Sequence, residues 1–449
     1  MPAGAQASAT LVFGSLPATK ALLIVIDGLT PAMYEDAVER RSAPALAELH
    51  ERGEYRRAAT VFPSLTPVCL SSLVTGAYPD VHEIPHLVWY HRGEQRLVEY
   101  GSSFAALRRA GARRGIRDAI FRMNEDHLSL NAVTLYESVE DAGRVAAAVN
   151  IICYRGRTPH VARIPGVTRA AHGPKRFFYF NLFESDETGA PFRPGARQAG
   201  GNDRYAGAVG RWLVTRDGFD LLVYYLPDYD YASHSAGPDS AHAALTRADD
   251  AVRALLDAAG GVDALLERYA VVVCSDHGQT RVERPTSLND SFVGVDDVVI
   301  TASNRAGMVY DLRGGRARVL AQRLDGDPAA ETVLFLEDGE LVARRDGGEG
   351  LDVLADYPDG LARATAALRN PNSGDVVVSA ARGYEFTDLA GRHHAGGGSH
   401  GSLLAGDSEV PVLTIGLRTP PKSITGIAPL LLDQLGLERP SYAQAFSHA

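Results

Sequence analysis

The stretch AVVVCSDHG, residues 270–278, decides the fold class: an unbroken apolar run, then Ser275, an adjacent Asp276–His277 pair and Gly278. A run this short and apolar has the composition of a strand buried on both faces, as in a parallel sheet covered by helices. Adjacent ionisable residues at its end are costly to bury unless they are paired or bind a metal. The same arrangement recurs twice. ALLIVIDG (21–28) ends an apolar run in Asp27, and in LLVYYLPDYDYASHSAGP (221–238) the apolar run 221–226 leads into Asp230 and His234. Open α/β sheets bind ligands in the crevice outside the carboxyl ends of their strands. The three runs therefore deliver carboxylates and imidazoles to one place.

Working outward, apolar runs at 21–27, 56–61, 146–153, 177–182, 220–226, 269–275 and 410–416 read as core strands. Helical patterns separate them at Pro31–Arg52, Val68–Thr75, Ser138–Gly143, Arg204–Thr215 and Ser240–Ala259. The first of these has Thr30 as N-cap, Pro31 in its first turn and Gly53 at its close. The expected architecture is a single α/β domain over 1–449, with a mostly parallel central sheet and helices on both faces. Residues 83–130 and 281–395 break the rhythm and read as inserted cap segments over one edge of the sheet. Within the second, Asp338-Gly339 in VLFLEDGELVARR marks a hairpin turn.

With 449 residues and 45% hydrophobic content the chain can bury a large core, and its net charge of −10 argues against a nucleic-acid polymer as partner. Cys69, Cys153 and Cys274 are too few for a disulfide framework and read as reduced core residues. The first strongly apolar stretch runs straight into Asp27, and no run approaches the roughly 20 residues of a membrane span. The expectation is a soluble, cytoplasmic protein acting on a small substrate. Oligomeric state is not legible.

Two further segments carry candidate chemistry. Thr66 in FPSLTP stands before a short helix, where capping and nucleophilic roles are compatible, because a helix N-terminus lowers the cost of an alkoxide and favours phosphate. His400 sits in GGGSHGS, whose glycines permit close backbone approach. Asp228 competes with Asp230. His393 and His394 compete with His400 and are expected to be exposed. Three Asp, three His and one hydroxyl suit two divalent metals with a nucleophile between them.

FPSLTPVCLSSLVTGAYPDVHEI (62–84) resembles the nucleophile segment of the nucleotide pyrophosphatase/phosphodiesterases (type I phosphodiesterases) of the alkaline phosphatase superfamily. The matching residues are Phe62-Pro63, Thr66, Leu73 to Gly76, Tyr78-Pro79 and His82. Asp230 to Pro238, Ser275 to Gly278 and Gly398 to Gly401 resemble the family's remaining motifs, in its order. The resemblance spans roughly 20–300 and 396–417 and leaves out the insertions. It implies an alkaline-phosphatase-like fold and two zinc ions, one held by Asp230, His234 and His400, the other by Asp27, Asp276 and His277. Thr66 would bridge them and be the catalytic nucleophile. The implied activity is hydrolysis of phosphate diesters or pyrophosphates through a phospho-threonine, with a phosphomonoesterase or phosphonate hydrolase as the alternative.

Two positions depart from the family: Cys69 stands where an Asn often contacts a phosphoryl oxygen, and Glu83 replaces a Gly. Cys69, His86, Trp89 and Tyr90 are the candidate substrate-binding residues, and Arg155 and Arg157 could serve a dianionic monoester. Phe104, Phe121, Phe177, Phe178 and Tyr179 could floor a pocket or simply fill core.

Overall fold

The computed structural model describes residues 20–163, 169–185 and 201–443. Its centre is the strand Lys20–Ile26, flanked in parallel by Leu221–Leu226 and Tyr269–Cys274, with Leu23 opposite Val223 on one side and Val272 on the other. Ala146–Val149 and Arg176–Tyr179 continue the sheet in parallel beyond Leu221–Leu226, and Phe183–Glu184 closes that edge. On the other side Glu409–Ile415 runs antiparallel to Tyr269–Cys274, and Glu54–Ala59 pairs with it at the edge. All seven expected strands are present. The run 146–153 is cut short after Val149, because Asn150 turns to a left-handed φ of 61°.

Alternation along the central strand divides the core in two. Leu22, Ile24 and Ile26 pack with Pro31–Glu39, Pro44–His50, Gly201–Arg216 and His242–Ala259. Ala21, Leu23 and Val25 face Thr66–Thr75, Leu135–Asp141 and Ile427–Gln434. Both faces of the three central strands are covered, which is why those runs are uninterruptedly apolar. The single helix expected over Pro31–Arg52 is in fact two. Arg41 adopts a left-handed φ of 53°, and Pro44 opens the second helix at a position where its missing N–H costs nothing.

Residues 83–130 form a hairpin of Val88–His91 and Arg96–Glu99, then a helix Phe104–Arg117, kinked at Gly111 where φ is 103°, that continues as a π-helix to His127. Residues 281–395 are more regular than their sequence suggests. They contain a six-stranded sheet in the order Val298–Ser303, Ala306–Asp311, Val376–Ala380, Ala330–Glu337, Glu340–Arg345, Gly348–Glu349, every pairing antiparallel. The hairpin at Asp338-Gly339 is as expected, with φ of 50° and 83° between paired Glu337 and Glu340. Met308, Tyr310, Leu334 and Val377 join this sheet to the main core, while Val309, Phe335, Val376 and Val378 line a core of its own. Among the described residues no helix is long and apolar enough to cross a membrane.

A buried ion pair ties this sheet to the main fold. Arg305, in the turn between its first two strands, grips both carboxylate oxygens of Asp407 at 2.8 and 3.0 Å, and both side chains are inaccessible to solvent. Its remaining nitrogens donate to the carbonyls of Tyr384 and Ala381. Removing one partner leaves an uncompensated charge in the interior, which costs roughly 3–5 kcal/mol. Asp407→Ala should therefore lower the unfolding free energy by about that amount in urea titration, and considerably more than Arg345→Ala, whose ion pairs are solvent-exposed.

Candidate active site

Each of the three strand-end segments places its ligands by a different local device. Asp27 continues the strand ladder by donating its N–H to the carbonyl of Leu226. Gly28 then takes a left-handed φ of 67°, and a Cβ there would stand 2.8 Å from Asp230 Oδ1, so only glycine lets the two loops meet. Asp230 and His234 lie four apart on the helix Asp228–Ala236, with His234 Nε2 3.2 Å from Asp230 Oδ2. Asp276 accepts the backbone N–H groups of Gly28 and His277 on Oδ1. His400 arrives on the glycine-rich loop, and its neighbour Gly401 exchanges backbone and side-chain hydrogen bonds with Ser64, two residues before Thr66.

The three histidines share one orientation. Nδ1 of His234 meets the carbonyl of Gly398 at 2.8 Å, Nδ1 of His277 that of Gly278 at 3.0 Å, and Nδ1 of His400 that of Ser64 at 2.8 Å. A carbonyl only accepts, so Nδ1 carries a proton in each ring and Nε2 is the atom turned toward the site. His277 Nε2 lies 3.3 Å from Asp27 Oδ1, 3.4 Å from Asp276 Oδ2 and 3.1 Å from Thr66 Oγ1. Its ring stacks on that of His400, with centroids 3.6 Å apart. Thr66 is the first residue of the helix Thr66–Thr75 and is half-buried.

The electrostatics are those of a site built for cations. Burial, with Asp276 and Asp230 as close neighbours, pushes the carboxyl of Asp27 well above its usual range, and burial raises Asp276 as well. Burial also works against ionised Asp230, but His234, His400 and His277 outweigh it and hold its carboxyl low. Asp27 Oδ1 and Asp276 Oδ2 are buried without any hydrogen-bond partner, which is expensive for a carboxylate unless a metal takes the lone pair. Two sets have ligand atoms within reach of a single ion: Asp27, Asp276 and His277, and Asp230, His277 and His400. His234 lies on the other flank of Asp230, 14% exposed. The donors present fit divalent metal ions.

The family model for type I phosphodiesterase/nucleotide pyrophosphatase matches residues 21–403. The chain belongs to this family. Among solved structures it resembles phosphonoacetate hydrolase from Sinorhizobium meliloti 1021 in complex with phosphonoformate (TM-score 0.64, 19% identity, 92% of this chain and 96% of that one). It also resembles murine ectonucleotide pyrophosphatase/phosphodiesterase 5 (TM-score 0.62, 15% identity, 94% and 96%). No curated protein sequence matches the chain significantly. The fold is alkaline-phosphatase-like, and membership makes the protein a hydrolase acting on phosphoesters.

Most other sequence candidates lie apart from this phosphodiesterase-family centre. Asp228 is consumed by the N–H of Asp203 and the amide of Asn202. Arg155 is buried against Glu137, and Arg157 is paired with Glu137 and Asp141, so neither is free to meet a phosphate. Cys69 is wholly buried behind the site, bonded to the hydroxyl of Thr60, and burial raises its thiol far above the ordinary range. His86 is buried, its ring pushed down to about 4, and accepts the N–H of Val88. Trp89 is 1% exposed, stacks on His91 and meets His127 edge-on, while Tyr90 meets Tyr310 edge-on. Phe121, Phe177, Phe178 and Tyr179 are core, whereas Phe104 is exposed. His393 is exposed as expected, but His394 is not free. Its ring stacks on His234 at 3.9 Å, and Nδ1 contacts Glu385 at 2.6 Å.

Three functional neighbours escape sequence reasoning. The hydroxyl of Tyr225 donates to Asp27 Oδ2, the amide of Asn304 lies 3.2 Å from His400 Nε2, and Gln279 donates to Asp230 Oδ1 while accepting from Ser233. Gln279 directly follows the Ser-Asp-His-Gly motif, which was its one available signal. Because it fixes the carboxylate of Asp230, Gln279→Leu should weaken divalent-metal binding by about 10–100-fold in a competition titration with a chromophoric chelator, with the far-ultraviolet circular dichroism unchanged.

Proposed function

We propose that the protein is a two-zinc hydrolase of phosphate diesters or pyrophosphates that works through a phospho-threonine intermediate. The observation that carries this reading is the hydroxyl of Thr66, 3.1 Å from His277 Nε2, where the two candidate ligand sets meet. Asp27, Asp276 and His277 would hold one zinc, and Asp230, His234 and His400 the other. The metals would supply positive charge to ionise the nucleophile and stabilise the phosphoryl oxygens. Thr66 Oγ attacks phosphorus in line and the ester oxygen departs with its electron pair. Water then cleaves the phospho-threonine in a second in-line displacement, releasing phosphate or its monoester and restoring the hydroxyl. The helix start at Thr66 favours the anionic oxygen in both steps.

Commitment of Arg155 and Arg157 to Glu137 and Asp141 removes the donors that a dianionic monoester would want, which supports a diester or pyrophosphate. The insertions 83–130 and 281–395 act as the cap that selects the leaving group.

Two measurements test the reading. Elemental analysis of the active enzyme should give about two zinc ions per chain, and a chelator should abolish bis-p-nitrophenyl phosphate hydrolysis, with zinc restoring it. Full activity with trace metal overturns the metal role. Thr66→Ala should lose several orders of magnitude in kcat while keeping its zinc, Thr66→Ser should retain measurable turnover, and acid-quenched wild type should carry phosphate on the peptide containing Thr66.

A further inference from the structure

A cavity of about 370 Å³ adjoins the candidate metal centre. Two of its lining residues touch that centre: Asn304, whose amide reaches His400, and His394, whose ring stacks on His234. The rest of the wall comes from both insertions. Phe104 and Arg108 belong to the helix Phe104–Arg117, and Asp388 and Arg392 to the segment before the glycine-rich loop.

The charges in this cavity are unevenly satisfied. Asp388 accepts the backbone N–H groups of Ala390 and Arg392 at 2.8 and 2.9 Å and the hydroxyl of Ser103. Glu385 takes both the N–H and Nδ1 of His394, and the hydroxyl of Ser399 at 2.9 Å. Its acids are spent. The guanidinium groups of Arg108 and Arg392, by contrast, have neither a hydrogen bond nor an ion pair among the described residues. Elsewhere in the insertions arginines hold carboxylates, as Arg96, Arg122, Arg316 and Arg344 do. The helix carrying Arg108 has five arginines and no acidic residue, in a chain of net charge −10. Such a helix beside the site raises the local potential that an anionic group meets.

We infer that this cavity is the leaving-group subsite and that Arg108 and Arg392 select substrates whose leaving group carries a second anion, a carboxylate or a phosphate. The inference rests on the phosphoester-hydrolase reading. A phosphoryl group at Thr66 directs its leaving group away from the nucleophile, and the cavity beside His234 and His400 is where two unpaired guanidinium forks stand ready for planar or tetrahedral oxyanions. Phe104 supplies an apolar wall for the atoms between.

The test is competition against bis-p-nitrophenyl phosphate hydrolysis by the zinc-loaded full chain, using phosphonoacetate, methylenediphosphonate and methylphosphonate. The first two carry a carboxylate or a second phosphonate, and the third carries neither. Wild type should bind at least one of the first two about tenfold or more tightly than methylphosphonate, and which one it prefers identifies the anion. The Arg108→Gln/Arg392→Gln double variant should lose that preference, its inhibition constants converging to within about twofold, at unchanged zinc content and melting temperature. Arg108→Lys/Arg392→Lys should recover part of it, since charge remains while the planar fork is lost. Chelation of zinc by the diphosphonate would act equally on wild type and variant, so only the change in ratio counts. A wild type with equal constants for all three overturns the subsite and leaves the hydrolase reading standing. Parallel weakening of all three in the variant also overturns it. A zinc-loaded enzyme that hydrolyses no phosphate ester overturns both.

Discussion

Three carboxylates buried within reach of one another are the constraint on which the rest of this structure depends. Burial drives both Asp27 and Asp276 toward protonation, Asp276 and Asp230 add to the push on Asp27, and each of the two keeps one oxygen without a partner. The scaffold accepts this because its strands are pinned on both faces by apolar helices and cannot move apart to let water in. Histidine orientation follows from the same constraint. With Nδ1 of His234, His277 and His400 each donating to a backbone carbonyl, every ring is fixed with Nε2 turned toward the carboxylates. Those carbonyls belong to Gly398, Gly278 and Ser64, so the loops that carry the site are themselves held by its histidines.

The glycine-rich loop shows how sequence and packing converge. A Cβ on Gly397 would collide with the carbonyl of His234, and one on Gly398 with Gln279 and Ser233. The loop can therefore lie flat against the metal-site helix and bring His400 across. On its far side Asp407 is gripped by Arg305 and also accepts from Ser402 and Thr280. The six-stranded sheet is thus coupled through one buried ion pair to the loop that presents His400, and the turn holding Arg305 also presents Asn304 to that histidine. Movement of this sheet would be felt at the site.

How much was legible in the sequence follows from the range of the interactions. The central strands were legible because burial on both faces leaves an uninterrupted apolar run, and Asp27, Asp276 and His277 because ionisable residues at the ends of such runs are anomalous, whereas choosing Asp230 over Asp228 took the family spacing. His400 and Thr66 needed the family motifs, since neither follows a core strand directly. The break at Arg41 was misjudged because the apolar spacing of two short helices mimics one long one, although Pro44 marked the restart. The regular sheet in 281–395 was hidden by its own topology, since its neighbours in space are distant in sequence: Ala306–Asp311 pairs with Val376–Ala380 across a hairpin and three helical segments. Tyr225, Asn304 and His394 reach the site only by tertiary contact. Nothing in their flanking residues distinguishes them from an ordinary strand tyrosine, turn asparagine or loop histidine.

Under the proposed reading, charge balance places selectivity in the insertions and not in the core. On that reading two dications set against Asp27, Asp230 and Asp276 leave about one positive charge, and ionised Thr66 cancels it. The core centre then has no charge left with which to discriminate between leaving groups. Discrimination has to come from groups outside it, and the described neighbours of the centre on the core side are already committed: Tyr225 to Asp27 and Gln279 to Asp230. The walls contributed by the insertions are where unpaired charge remains, on Arg108 and Arg392. These are exposed side chains on a helix and a loop, positions that tolerate substitution without disturbing the buried carboxylates. A family that keeps its reaction centre while changing its substrates would vary these walls, because a charge altered there changes what binds and leaves the metal-binding geometry untouched.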